Sequence, residues 1–193
     1  MINKILAQVL IFVFAFVFVG CSFKQETIDI NHYSIDFKTK SLLNKPKYSS
    51  ILIEEVNINK SFNQTAIFYS LKPYLFEEYA KNRWINLPSN MIYNQLLDSF
   101  TSSNIFENVI SVKQKIKSEY ILKTDLIKLY QVFKNDKSYA VLKLKFDLAK
   151  DEKIIKSINF DKEIICDENS AYGFVKAVNG AFEEMIGDLL KSL

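Results

Sequence analysis

The chain offers few side chains from which a catalytic centre could be built. It has one histidine, His32, and two cysteines, Cys21 and Cys166, in 193 residues. Histidine-based metal sites and Ser/His or Cys/His pairs therefore have almost nothing to draw on. Adjacent acids occur at Glu54 and Glu55, at Glu77 and Glu78, and at Glu183 and Glu184. Neighbours in sequence point to different sides of a strand or helix, so each pair reads as solvated surface, not as an acid/base dyad. No Walker loop, G-x-S-x-G or H-E-x-x-H is present, and four glycines leave no phosphate cradle. The reading is a protein without catalytic residues, metal or cofactor, whose work is binding.

One cysteine has a chemical role of a different kind. The chain opens with a single cation, Lys4, and then runs from Ile5 to Val19 with Gln8 as the one polar interruption. That is the pattern of a signal-peptide apolar region. Fifteen helical residues cover about 22 Å, short of the roughly 30 Å hydrocarbon core, which disfavours a stable span. Phe18, Val19, Gly20 and Cys21 follow. This stretch resembles the lipobox of bacterial lipoprotein precursors, with phenylalanine where leucine is usual. The resemblance implies cleavage between Gly20 and Cys21 and acylation of the Cys21 thiol. Two or three acyl chains, each stabilised by about 0.8 kcal/mol per buried CH₂, hold a protein on its membrane. Ser22 is uncharged, which by resemblance to lipoprotein sorting favours the outer membrane. The expected organisation is a signal peptide at 1–20, a lipidated tether at 21–32 and a domain at 33–193.

Loss of residues 1–20 removes only Lys4, so 25 − 1 = 24 cations face 22 anions. That near balance, together with export, argues against nucleic acid as a partner. The charges are unevenly spread, with 13 lysines against 7 acids in 111–162 and 2 lysines against 6 acids in 163–193. With Cys21 acylated, Cys166 has no disulfide partner and reads as a small buried apolar residue.

These groups must be positioned by strands and helices. Strand patterns occupy 33–37, 51–58, 65–71 and 74–79, with Pro73 marking a turn or edge. Helical spacing runs over 88–103, entered by Pro88, with Ile92, Leu96 and Phe100 in line. Four strand-like runs follow at 109–116, 119–133, 139–150 and 153–166, read together as a long antiparallel meander. The cleanest alternation sets Leu142, Leu144, Phe146 and Leu148 against Lys143, Lys145 and Asp147, which predicts a sheet with one wet face. From 170 to 193, Phe174, Val178, Phe182, Met185 and Leu189 form the strongest amphipathic stripe. The fold class is α+β: an antiparallel or mixed sheet of long strands packed against two helices, at about 87–104 and 170–193, in a single domain.

Two surfaces read as contacts. The aromatic hairpin carries Tyr74, Tyr79, Arg83 and Trp84, more aromatic area than short strands usually hide. Gly173, Gly180 and Gly187 recur every seven residues on the last helix, a line along which a second copy or a partner could approach.

The order of segments also resembles the auxiliary lipoproteins of ABC-type transport systems, the group that includes paraquat-inducible protein C. The shared features are the lipobox, the step Tyr33-Ser34-Ile35, the strand at 51–58, a hairpin ending in Arg83-Trp84, an amphipathic helix, the step Glu119-Tyr120-Ile121-Leu122 and a C-terminal helix. That family usually has aspartate where Glu119 stands and a more alanine-rich last helix. The resemblance covers nearly all of 18–193. It implies an outer-membrane lipoprotein facing the periplasm, an accessory to an MCE-type system that moves lipid between membranes. Its partners would be the periplasmic substrate-binding component and the ABC permease/ATPase complex. Two other readings stay open: a lipoprotein of lipopolysaccharide export or β-barrel assembly, and a periplasmic hydrolase.

Overall fold

The architecture was obtained as a computed structural model that describes residues 29–193. The signal segment, Gly20 and Cys21 lie outside the described residues. The organising element is a long strand, β7 (Tyr120–Lys134), whose alternation puts Leu122, Thr124, Leu126, Leu129 and Gln131 on one buried face. Along one edge it pairs antiparallel with β8 (Lys137–Lys150), which pairs in turn with β9 (Lys153–Ile165). The two-residue turns, Asn135-Asp136 and Asp151-Glu152, have positive φ at both positions, the geometry that matches the twist of a tight hairpin.

The other edge of β7 is shared by three strands laid end to end. β2 (Tyr48–Ile53) pairs with its start, β3 (Asn57–Ile58) with its middle and β4 (Ala66–Lys72) with its end, all in parallel. β6 (Phe106–Ser111) extends the sheet beyond β2 in parallel. β5 (Leu75–Trp84) pairs antiparallel with β4, and β1 (Asn31–Tyr33) lies parallel to β5. Two helices, α1 (Pro88–Ser103) and α2 (Ala171–Lys191), contact each other and cover one face, α1 over β2 and β6, α2 over β8 and β9. The core forms where Ile92, Leu96 and Phe100 of α1 and Phe174, Phe182 and Met185 of α2 meet Leu122, Leu142, Leu144 and Phe146 of the sheet. Each of these is at most 1% exposed.

The chain is thus an α+β fold in a single domain, with both helices where their periodicity puts them. Several strands differ from the pattern. The first lies at 31–33, so His32 belongs to a strand, in register with Arg83, and not to the tether. Residues 34–37 leave the ladder because the Asn179 side chain replaces a strand partner. Its Oδ1 accepts from Asp36 N at 2.7 Å, and its Nδ2 donates to the Ser34 carbonyl at 3.1 Å. The alternating Ile35 and Phe37 that suggested a strand are buried in the core instead. The run at 51–58 breaks into β2 and β3. The run expected at 109–116 is β6, which starts earlier and gives way to a 3₁₀ turn at Val112–Gln114. Because β6 pairs with β2, the antiparallel meander has three strands, not four.

Candidate functional site

The β4–β5 hairpin holds most of the residues singled out for contact, and the structure divides them. Lys72 pairs with Leu75, leaving Pro73 and Tyr74 as the turn. Tyr74 has φ 68° and a side chain that is 100% exposed. Tyr79 is half-buried: its ring lies 4.7 Å from that of Tyr69, and its hydroxyl donates to Gln131 Oε1 at 2.6 Å. Burial, then the neighbouring Tyr69 and Cys166, raises its pKa well above the usual tyrosine range. Trp84 is 2% exposed, its indole 6.0 Å from the Phe174 ring. Trp84 is therefore core and Tyr79 a structural link; neither is a free contact. Arg83 is occupied by its own hairpin, donating to the Tyr79 carbonyl and, at 3.0 Å, to the Asn82 carbonyl.

Alternation separates Phe76 from Tyr79, and Tyr74 is exposed because it lies in the turn. The register shift of β5 between Glu78 and Arg83 lets Trp84 face the core on the same side as Tyr79. Tyr69, Tyr79 and Gln131 lie on the face that the helices cover, where a polar cluster ties the sheet to the start of α2. Gln131 is wholly buried. Its Nε2 donates to Ser138 Oγ at 2.8 Å and to the Ser170 carbonyl at 3.2 Å, and reaches Cys166 Sγ at 3.8 Å. Ser170 also caps α2, its side chain accepting from Gly173 N at 3.0 Å. Cys166 is buried in this cluster, and burial pushes its thiol up despite bonds from Ser138 and Gln131.

On the opposite, open face, Phe62, Phe68, Phe76 and Tyr130 form a second aromatic group, with Phe62 stacked on Tyr130 at 5.9 Å and Phe76 edge-on to Tyr130 at 4.9 Å. Phe76 is 46% exposed. Tyr130, Val132 and Val141 continue from it into a shallow depression of about 370 Å³ edged by Lys128, Lys134 and Asp161. Phe68 and Phe76 belong to the aromatic hairpin legible in the sequence; Phe62 and Tyr130 do not, because Phe62 sits in a loop and Tyr130 lies about seventy residues further on in another strand.

Several lysines of the meander are paired. Lys143 meets Asp161 at 2.7 Å, Lys134 meets Glu163 at 2.6 Å, and Lys145 meets Asp147 at 2.6 Å. Burial pushes the Asp147 carboxyl upward, but bonds from Lys145 and Ser157 outweigh it and hold the group below its ordinary value. Lys162 reaches Glu184 of α2 at 2.7 Å. That pair joins the basic sheet to the acidic helix, while Asp188 of the helix pairs with its own Lys191.

The glycine line on α2 is not a continuous groove. At Gly173 a Cβ would lie 2.3 Å from the Glu168 carbonyl oxygen, because the chain entering the helix crosses that position. Gly173 is buried by its own chain and leaves the proposed contact. At Gly180 and Gly187 nothing lies within 4 Å of such an atom.

No protein-family profile and no curated protein sequence matches this chain. Solved structures do match it. The chain has the fold of protein XCC0632 from Xanthomonas campestris. That protein, of family DUF330, superposes with a TM-score of 0.72 over 83% of this chain and 92% of its own, at 15% identity. A second solved protein, described as uncharacterized, gives 0.67 over 85% of this chain and 98% of its own, at 11% identity. At such identities the likeness concerns the fold alone.

Proposed function

We propose that this chain is a bacterial lipoprotein, acylated at Cys21, held on the outer membrane and facing the periplasm. It serves there as an accessory of an ABC-type, MCE-containing lipid transport system and docks the periplasmic substrate-binding component of that system. The observation that carries the reading is the order of its segments. A lipobox-like FVGC at 18–21 stands ten residues before β1. The steps shared with auxiliary transport lipoproteins then fall one to an element: Tyr33 ends β1, Arg83 and Trp84 end β5, and Tyr120 opens β7. The common fold with a bacterial protein, XCC0632, supports the same reading. The open aromatic group around Phe76 and Tyr130 is the docking surface in this proposal, since it combines exposed rings with a shallow depression.

Metabolic labelling with a palmitate analogue tests the anchor. Wild type takes the label; Cys21→Ser takes none and keeps its signal segment, because a hydroxyl is too weakly acidic to stand in for the thiol. Label on the serine variant would overturn the reading. Affinity capture from detergent-solubilised envelopes tests the role. The permease, ATPase and MCE component are expected, whereas recovery of lipopolysaccharide-export or barrel-assembly proteins would assign the chain to those pathways.

A further inference from the structure

The tip of the β4–β5 hairpin has a composition that the fold itself does not use. Tyr74 sits in left-handed backbone, where Gly or Asn is accommodated at lower cost, yet its ring touches nothing in the domain. Leu71, two residues before the turn, is 56% exposed. Lys72 lies between Leu71 and the turn, and Lys137 lies at the same end of the sheet, since β4 and β7 run parallel there and β7 turns into β8 just beyond. Both lysines are exposed, and among the described residues neither joins an ion pair; Asp136 lies in the adjoining turn and Glu77 three residues beyond Tyr74.

The register of β1 decides what faces this tip. β1 runs parallel to β5, with Asn31 opposite Asn82, so the chain reaches Asn31 from the side on which β5 begins. Tyr74 lies eight residues before Asn82, or about 26 Å along the strand. Cys21 lies ten residues before Asn31, and ten residues reach at most about 36 Å. The reach of ten residues therefore allows an anchor at Cys21 to lie level with the hairpin tip, or up to about 10 Å beyond it along this direction.

We propose that the hairpin tip is a second membrane contact, with Tyr74 and Leu71 seated in the interfacial zone of the bilayer that holds the lipidated cysteine. Lys72 and Lys137 face its anionic phospholipid headgroups. Tyrosine is favoured at that depth because its ring is apolar and its hydroxyl can stay in water, and lysine reaches headgroups along its apolar stem. The inference deepens the proposal of a Cys21-anchored protein and takes the anchor position from it. It assigns Tyr74 to lipid, not to a protein partner.

The test supplies the anchor chemically, so that it does not depend on acylation in cells. The mature chain from Cys21 is coupled through the Cys21 thiol to maleimide lipid in vesicles of phosphatidylethanolamine and phosphatidylglycerol; Cys166, being buried, does not compete. Tyr74→Trp and Lys153→Trp are compared, the second lying at the opposite end of the sheet, with buried Trp84 as a common background. Brominated phospholipid is expected to quench Tyr74→Trp several-fold more than Lys153→Trp, and Tyr74→Trp combined with Leu71→Asp is expected to lose that excess. Equal quenching at the two positions, on vesicles that carry the protein, would overturn the inference while leaving the palmitate result untouched. If Tyr74→Asp then abolishes capture of the MCE component, the tip is a protein contact instead.

Discussion

At position 173 glycine is required by a feature outside the helix. The spacing of Gly173, Gly180 and Gly187 suggests one open line, but the carbonyl of Glu168 closes it at the first site. Gly173→Ala is expected to lower stability by about 1–3 kcal/mol, the range for an added methyl that forces its surroundings apart. Gly180→Ala, which meets nothing, should raise it by up to about 1 kcal/mol through helix propensity. Urea unfolding of the two variants distinguishes them by sign. Tyr79 permits a second prediction. Removing its hydroxyl in Tyr79→Phe leaves the buried Gln131 Oε1 without its 2.6 Å donor, a loss of about 1–3 kcal/mol. Its raised pKa also fixes a pH dependence. Above pH 10, the ordinary tyrosine value, the unfolded chain releases the phenolic proton while the folded chain retains it. The unfolded state then binds fewer protons, so stability falls as pH rises through that point, and Tyr79→Phe should flatten the fall in an alkaline unfolding series. Aromatic residues such as Tyr74 and Trp84, ten apart in one hairpin, look equivalent in the sequence. What separates them is that Tyr74 lies in the turn, beyond the strand, whereas Trp84 ends the strand under Phe174.

At the scale of elements, the helices and the three meander strands were legible because each has a long, uninterrupted period. α1 begins at Pro88 and ends at Ser103 as its pattern predicts, and Asn104 stops it in the left-handed conformation. The short strands were less so. β1 is displaced because the core takes Ile35 and Phe37 without a ladder, and β6 is hard to place because its partner, β2, lies some sixty residues earlier. One helix end is also improvable. Leu87 is the N-cap of α1 and makes no side-chain cap bond, and the first turn carries no acid. The Ser89 and Asn90 amides already donate to Asn63 Oδ1 and the Leu87 carbonyl, so Leu87→Asp is expected to add about 0.3–1 kcal/mol, by meeting the positive end of the helix dipole. Thermal unfolding measures the gain; a loss would show that the partly buried Leu87 side chain contributes more through packing than the carboxylate does.

For the whole molecule, α2 leaves one side open at Gly180 and Gly187, and self-association there belongs with the proposed role. Gly180→Leu should reduce the particle mass by light scattering relative to wild type while leaving thermal stability nearly unchanged, the response of a filled contact groove. A mass unaffected by leucine would count against the contact. The mixed sheet itself was not legible, because periodicity identifies strands without their partners. Nothing in the pattern at 51–58 or 65–71 says that both segments end on the same edge of β7.

That shared edge has a consequence for how the chain acquires its structure. Ile51 meets Tyr120, and Tyr69 meets Gln131, so every parallel pairing with β7 closes a loop of about sixty residues or more. Contacts of such separation form slowly, because loop closure must precede any gain from pairing, whereas the β7–β8–β9 hairpins close locally across two-residue turns. The meander is the natural nucleus, and it lies in the last part of the chain to be made. Until β7 has emerged, β2, β3 and β4 have no edge to join, and the first half of the sequence remains without its sheet. A polypeptide exported through a narrow channel must still be unfolded when it passes, and for the exported lipoprotein proposed above the late position of the nucleus would delay folding in the sense that passage requires.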